Sequence, residues 1–86
     1  MEVAFFGSIT KYTNGEKTFS PKDLSTLREL IAELGEHYGE DFGSFLQGDE
    51  TCLILLNGKG VALTGGLDSP LSMGDKVEVL PFVEAG

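Results

Sequence analysis

The hydrophobic pattern of the chain predicts a β-strand near each end. Residues 3–6 form a continuous apolar run, which is typical of a buried strand. Near the C-terminus, Val77 and Val79 alternate with their neighbours in a period of two over residues 76–80, which again predicts a strand. Pro81 has no N–H to donate to a sheet, so this strand is expected to weaken or end there.

Three further strands are predicted between these two. The pair Asn14-Gly15 is a strong hairpin signal, and residues 17–20 are expected to form the returning strand. Residues 52–56 predict a buried strand by their length and apolar composition. A turn at residues 57–60 is expected to lead into a short answering strand at residues 61–63.

One segment has the periodicity of an α-helix. Thr26 and Glu29 have the spacing of a capping box, in which each side chain bonds to the backbone N–H of the other residue. The apolar residues that follow lie at helical spacing on one stripe: Leu27, Leu30, Ile31, Leu34 and Tyr38. Gly39 is expected to end the helix. Residues 40–50 predict a looser connection, with a single helical turn at three apolar residues: Phe42, Phe45 and Leu46.

The predicted order is strand, strand, helix, strand, short strand, strand, which indicates an α+β fold. A hairpin followed by a helix that crosses over a mixed sheet of about five strands defines the β-grasp, the fold of ubiquitin. The helix is the only crossover long enough for a parallel connection, so the first and last strands are expected to pair in parallel at the centre. With 86 residues, the chain is expected to be a single β-grasp domain, 1–86, with a C-terminal tail at residues 81–86.

The C-terminal tail is more apolar than a chain terminus usually is. Phe82 and Val83 are large and apolar, and the chain stops at Gly86, whereas terminal residues are usually polar and disordered. We therefore expect the tail to be inserted into another protein. The alternative is that Phe82 and Val83 fold back onto the sheet as ordinary core.

Composition narrows the classes of partner. The chain has a net charge of −8, which argues against nucleic acid or a membrane surface and favours a partner with a basic face. Residues 29–50 contain acidic side chains but no Lys or Arg, which indicates either a solvated face or a docking surface. A single cysteine, Cys52, excludes an internal disulfide and a cysteine-only metal site, and it favours a cytoplasmic location. No cofactor is expected, and no acid–base constellation points to an enzyme.

Several short motifs, taken in order, resemble one protein family. They are Val3 to Gly7, Thr26 to Ile31, Leu56 to Gly58, Pro70-Leu71, Gly74 to Val77 and Leu80 to Val83. With them the chain resembles the MoaD/ThiS family of ubiquitin-like sulfur carriers over essentially its whole length, most closely the small subunit of molybdopterin synthase. Carriers of the thiamine pathway mostly lack an insert like residues 40–50, so the length favours the molybdopterin branch.

The resemblance implies a non-catalytic carrier that serves molybdenum or tungsten cofactor synthesis. In such proteins an E1-like adenylating enzyme activates the terminal glycine carboxylate, and sulfur replaces AMP to give a thiocarboxylate. The tail then enters the large subunit of molybdopterin synthase, where the sulfur passes to the pterin precursor. By this resemblance Gly86 is the reacting residue, and the partner-binding residues are Pro81, Phe82, Val83, Glu84 and Ala85.

One position departs from the family pattern. The family usually ends in Gly-Gly, whereas this chain ends in Ala85-Gly86, and the extra methyl restricts φ and thickens the tail. A matching activating enzyme could tolerate the change, the change could mark a carrier that is no longer charged, or the chain could be one glycine short. Two alternatives therefore stay open: a ubiquitin-like binding module whose tail docks without activation, and a sulfur carrier for a thiamine- or cysteine-type pathway.

Overall fold

The computed structural model describes residues 1–22, 24–47 and 52–82. Within these ranges the chain forms five strands: β1 (Glu2–Phe5), β2 (Thr18–Phe19), β3 (Cys52–Leu56), β4 (Lys59–Gly60) and β5 (Lys76–Pro81). The α-helices of these ranges are α1 (Leu27–Tyr38) and α2 (Glu40–Leu46). Short 3₁₀ helices lie at Gly7–Lys11, Val61–Leu63 and Gly66–Asp68. No helix of the described ranges is long and apolar enough to cross a membrane.

The strands form one mixed sheet in the order β2-β1-β5-β3-β4. The first and last strands pair in parallel, with Val3 opposite Val77 and Phe5 opposite Val79. All other neighbours in the sheet are antiparallel. The expected parallel pair is therefore confirmed, β5 is the central strand, and the fold is the β-grasp that the order of elements predicted.

Helix α1 covers one face of the sheet and begins where the sequence predicted. Thr26 Oγ1 accepts a hydrogen bond from the Glu29 N–H at 3.4 Å, and Glu29 Oε1 accepts one from the Thr26 N–H at 3.1 Å. This capping box satisfies two of the N–H groups that a helix start leaves without partners. The apolar stripe of α1 packs on the inward-facing side chains of β1, β3 and β5, and this layer is the core.

The connection after α1 is more regular than expected. Instead of one turn, residues 40–46 form the helix α2, and this part of the prediction was wrong. Gly35 and Gly43 meet where the two helices cross, because a Cβ on Gly43 would lie only 3.3 Å from the Gly35 Cα. The absence of side chains at this crossing lets α2 pack closely enough to bury Phe42 against the core.

The short strand after β3 lies earlier than predicted. Residues 61–63 form a 3₁₀ helix, and the strand β4 is Lys59–Gly60 instead. Asn57 and Gly58 have positive φ of 52° and 85°, so the turn takes only these two residues and places Lys59 directly opposite Leu56. The predicted answering strand at residues 61–63 was therefore wrong.

The first hairpin also differs from its predicted form. The pair Asn14-Gly15 adopts the positive φ that its sequence favours, but it does not join the two strands directly. A 3₁₀ helix at Gly7–Lys11 precedes it, so β1 and β2 are linked by a longer connection. The returning strand is confirmed as Thr18–Phe19, which is shorter than the predicted 17–20.

Candidate functional site

The base of the C-terminal tail lies at the end of the central strand. Pro81 is the last residue of β5 and lies opposite Cys52, and Leu80 lies opposite Leu53. Phe82 follows the strand and is 56% exposed. For Phe82, the alternative that the residue folds back onto the sheet as core is therefore wrong, because more than half of its surface is exposed. Val83, Glu84, Ala85 and Gly86 lie outside the described residues, so their roles stay predictions.

The start of β5 is held by hydrogen bonds to the turn that follows β3. Asn57 Nδ2 donates to Asp75 Oδ1 at 3.0 Å, and the Lys76 N–H donates to Asn57 Oδ1 at 2.9 Å. Asp75 Oδ2 also accepts from the Ser72 N–H at 2.7 Å. The bonds from Asn57 and Ser72 favour the charged form and hold the pKa of the Asp75 carboxyl below its ordinary value. These contacts fix the strand from which the tail leaves.

The face of the sheet away from α1 carries exposed apolar side chains. Side chains alternate across a strand, and Val77 and Val79 point into the core, so the even-numbered residues of β5 point outward. We define the open sheet face by the outward residues in the half of β1, β3 and β5 nearer the tail, together with Phe6 directly after β1: Ala4, Phe6, Leu53, Leu55, Glu78 and Leu80. Leu53 is 41% exposed and Phe6 is 40% exposed.

Sequence reasoning missed this surface. The apolar runs at residues 3–6 and 52–56 predicted buried strands, but each run contributes a large exposed side chain, Phe6 and Leu53. Periodicity gave no signal, because both faces of these strands are apolar while the described chain covers only one of them. Helix α1 covers the inward face of the sheet, and within the described residues no helix covers the open sheet face.

An apolar cleft continues this surface around the edge of β3. The cleft has a volume of about 350 Å³, and both Leu53 and Phe82 line it. Its wall includes the core residues Leu27, Ile31 and Ile54. The apolar surface at the base of the tail therefore extends from the open sheet face to the exposed ring of Phe82.

The chain has one cysteine and one histidine, and both lie in its described part. Cys52, the one thiol of the chain, is buried. His37 is exposed, and its ring lies against Phe19 with centroids 5.0 Å apart. In the same described part of the chain, no group of three or more His, Cys, Asp or Glu side chains could hold a metal ion. Tyr38 donates a hydrogen bond of 2.6 Å to Glu16. The pKa of the Tyr38 phenol is raised above its ordinary value, mainly by burial and to a lesser extent by this hydrogen bond.

A β-grasp domain with an apolar surface at the base of its C-terminal tail is a ubiquitin-like protein. A ThiS family model matches residues 3–86, and the chain belongs to this family of ubiquitin-like sulfur carriers. No curated protein sequence matches the chain.

Solved structures show the same fold. The chain is 35% identical to one chain of the complex of subunits 1 and 2 of the molybdopterin-converting factor from Helicobacter pylori, covering 99% of this chain and 96% of that chain with a TM-score of 0.67. CysO from Mycobacterium tuberculosis is 25% identical, with 95% and 98% of the two chains covered and a TM-score of 0.80. The BexX/CysO complex from Amycolatopsis orientalis matches at 23% identity and a TM-score of 0.80, with 99% and 98% covered, which supports the fold alone.

Proposed function

We propose that this protein is the sulfur carrier of molybdopterin synthesis, acting as the small subunit beside a large catalytic subunit. The observation that carries the proposal is the 35% identity, over 99% of the chain, to a chain of the two-subunit molybdopterin-converting factor. The pathway would supply a molybdenum or tungsten cofactor. We also propose a cytoplasmic location, because a chain with a single cysteine cannot form an internal disulfide.

In this proposal the chemistry takes place at the carboxylate of Gly86. A carboxylate oxygen attacks the α-phosphorus of ATP on the E1-like adenylating enzyme, and pyrophosphate leaves. Hydrosulfide (HS⁻) from a sulfur donor then attacks the acyl carbon and expels AMP, and loss of the S–H proton leaves the terminus as a thiocarboxylate. Adenylation is needed because a free carboxylate is a poor electrophile. A glycine at this position adds no side chain to obstruct a narrow tunnel in the large subunit.

The geometry of the described residues supports a docking role. The tail leaves from the central strand, which pairs with both β1 and β3 as far as Val79 and with β3 alone as far as Pro81, so the base of the tail is anchored in the sheet. Phe82 is exposed at this base, and Leu53 and Phe6 are exposed on the open sheet face. Exposed apolar side chains grouped in this way are typical of protein–protein interfaces. The large subunit would bury them while it receives the tail.

The likeness to CysO favours a second candidate function. CysO is 25% identical and aligns with a TM-score of 0.80, above the score of the molybdopterin-converting factor chain. A carrier for a cysteine-type pathway would use the same activated terminus and would differ in the protein that accepts the sulfur. The two candidates therefore share the first half of the chemistry and separate at the transfer step.

Intact-mass measurement tests both the charging of the terminus and the transfer of its sulfur. Incubation with the activating enzyme of the source organism, ATP and a sulfur donor is expected to shift the mass by one oxygen-to-sulfur exchange. Addition of the molybdopterin synthase large subunit and the pterin precursor should then return the carrier to its carboxylate form. Loss of sulfur only to a cysteine synthase would favour the second candidate. A mass that never changes would contradict both candidates and favour the ubiquitin-like binding module.

The association of carrier and large subunit is expected to depend on salt. The net charge is −8, and the α1–α2 surface carries Glu36, Glu40 and Asp41 without a Lys or Arg between residues 29 and 47. Attraction to a basic partner accelerates encounter and is screened by ions, so the association rate should fall about tenfold from low to physiological ionic strength. The dissociation rate should change much less. Stopped-flow rates that are insensitive to salt would show that the acidic surface only solubilises the protein.

A further inference from the structure

A single carboxylate lies among apolar neighbours in the middle of the open sheet face. Glu78 of β5 is half-buried and lies opposite Ala4 of β1 on one side and Leu55 of β3 on the other. The next outward row towards the tail contains Leu80 opposite Leu53, and Phe6 follows β1 at the same end. The row on the other side of Glu78, towards the start of β5, contains two charged residues, Glu2 and Lys76, which lie opposite each other.

Glu78 has no partner of opposite charge within the described residues. Among these residues an ion pair joins Arg28 to Asp68, and no hydrogen bond reaches the Glu78 side chain. Lys76 lies two residues earlier on the same strand and points to the same face, with its Cα about 7 Å from that of Glu78. Its side chain does not form an ion pair with the Glu78 carboxylate. In the isolated protein the carboxylate is therefore stabilised by water.

Burial of the apolar row removes that water. Leu53, Leu80 and Glu78 occupy adjacent outward rows of β3 and β5, so a protein that covers the two leucines also covers the carboxylate. An ionised group that loses its hydration without a partner costs several kcal/mol. An apolar partner surface alone would therefore bind this face poorly.

We propose that the protein that receives the tail places a Lys or Arg side chain on Glu78, flanked by apolar surface for Leu53 and Leu80. The proposal deepens the function proposed above and rests on it for the identity of that protein. Glu78 then acts as a specificity residue, because partners with an acidic or wholly apolar surface at this point are rejected.

Dissociation constants measured with the molybdopterin synthase large subunit of the source organism test the proposal. Glu78→Gln should weaken binding about tenfold and Glu78→Lys about a hundredfold, because the second change sets like charges against each other. Most of the effect should lie in the dissociation rate. Substitution of one basic residue of the large subunit by Glu should restore binding of Glu78→Lys.

Asp68→Asn is the matched control. It removes one negative charge from an exposed position in the 3₁₀ helix Gly66–Asp68, outside both the open sheet face and the acidic α1–α2 surface, and loses only the exposed ion pair with Arg28, so it should leave the dissociation rate within about twofold. Melting temperatures close to the wild-type value confirm that all variants are folded. If the wild type binds and Glu78→Gln binds equally well, the inference is wrong and the proposed function stands. If the wild type does not bind the large subunit, both are wrong.

Discussion

A chain lengthened by one bulky residue beyond Gly86 is expected to form no thiocarboxylate. The added residue carries the carboxylate about 3.5 Å further along the path of the tail. Displacement of that size should stop a reaction that depends on positioning, because correct placement of the reacting groups can lower the activation free energy by about 7–11 kcal/mol. Intact-mass measurement after incubation with the activating enzyme, ATP and a sulfur donor should show the extended protein unchanged.

Binding to the large subunit should partly survive the extension. Phe82 and the open sheet face are untouched by it, so the surface at the base of the tail remains available. Loss of charging with retained binding would separate the reacting terminus from the docking surface. Efficient charging of the extended chain would show that Gly86 is not the reacting residue.

Ala85→Gly is the companion variant to this extension. It restores the slimmer and more flexible ending of the family, so charging should be preserved or improved. A charged Ala85→Gly beside an uncharged wild type would show that one methyl group has switched off a carrier. If both remain uncharged with every activating enzyme of the source organism, yet bind a partner, the binding module replaces the carrier.

The parts of the fold that sequence reasoning predicted correctly are set by local patterns. The capping box at Thr26 and the apolar stripe that follows it fix α1 without reference to the rest of the chain. Once that helix is known as the only crossover long enough for a parallel connection, the first and last strands are expected to pair in parallel. The misplaced elements have two other causes: a turn of only two residues, Asn57-Gly58, shifts β4, and a close helix crossing accounts for α2. The helix α2 forms because Gly43 can approach Gly35, and neither glycine signals this in sequence.

The candidate site was only half visible in the sequence. The motif around Pro81 and Phe82 pointed to the tail, and the structure places Phe82 in solvent as a docking residue requires. The open sheet face was not predicted, because an apolar run does not show which of its faces is covered. The bond between Asn57 and Asp75 joins two turns that the sequence presents as separate motifs. Only the register of β3 against β5 brings them together.

Phe82→Ala is expected to weaken binding to the large subunit while leaving the fold intact. The ring lies beyond the last paired residue of β5 and is 56% exposed, so it contributes little to the stability of the free carrier. Aromatic residues buried at interfaces commonly cost about 2 kcal/mol or more when truncated. The dissociation constant should rise by about thirtyfold, since each 1.4 kcal/mol is a factor of about ten. Calorimetric titration measures the affinity, and thermal unfolding should give nearly the wild-type melting temperature.

Phe42→Ala provides the matched control for the same truncation. Phe42 is 1% exposed and packs against the rings of Phe5, Tyr12 and Tyr38, with centroid distances of 5.8, 5.3 and 5.9 Å. Its loss should lower the free energy of unfolding by about 3–5 kcal/mol, because it leaves a cavity in the small core. The two variants should thus separate stability from binding. A large fall in the melting temperature of Phe82→Ala would instead assign its ring to the core, and unchanged affinity would remove it from the interface.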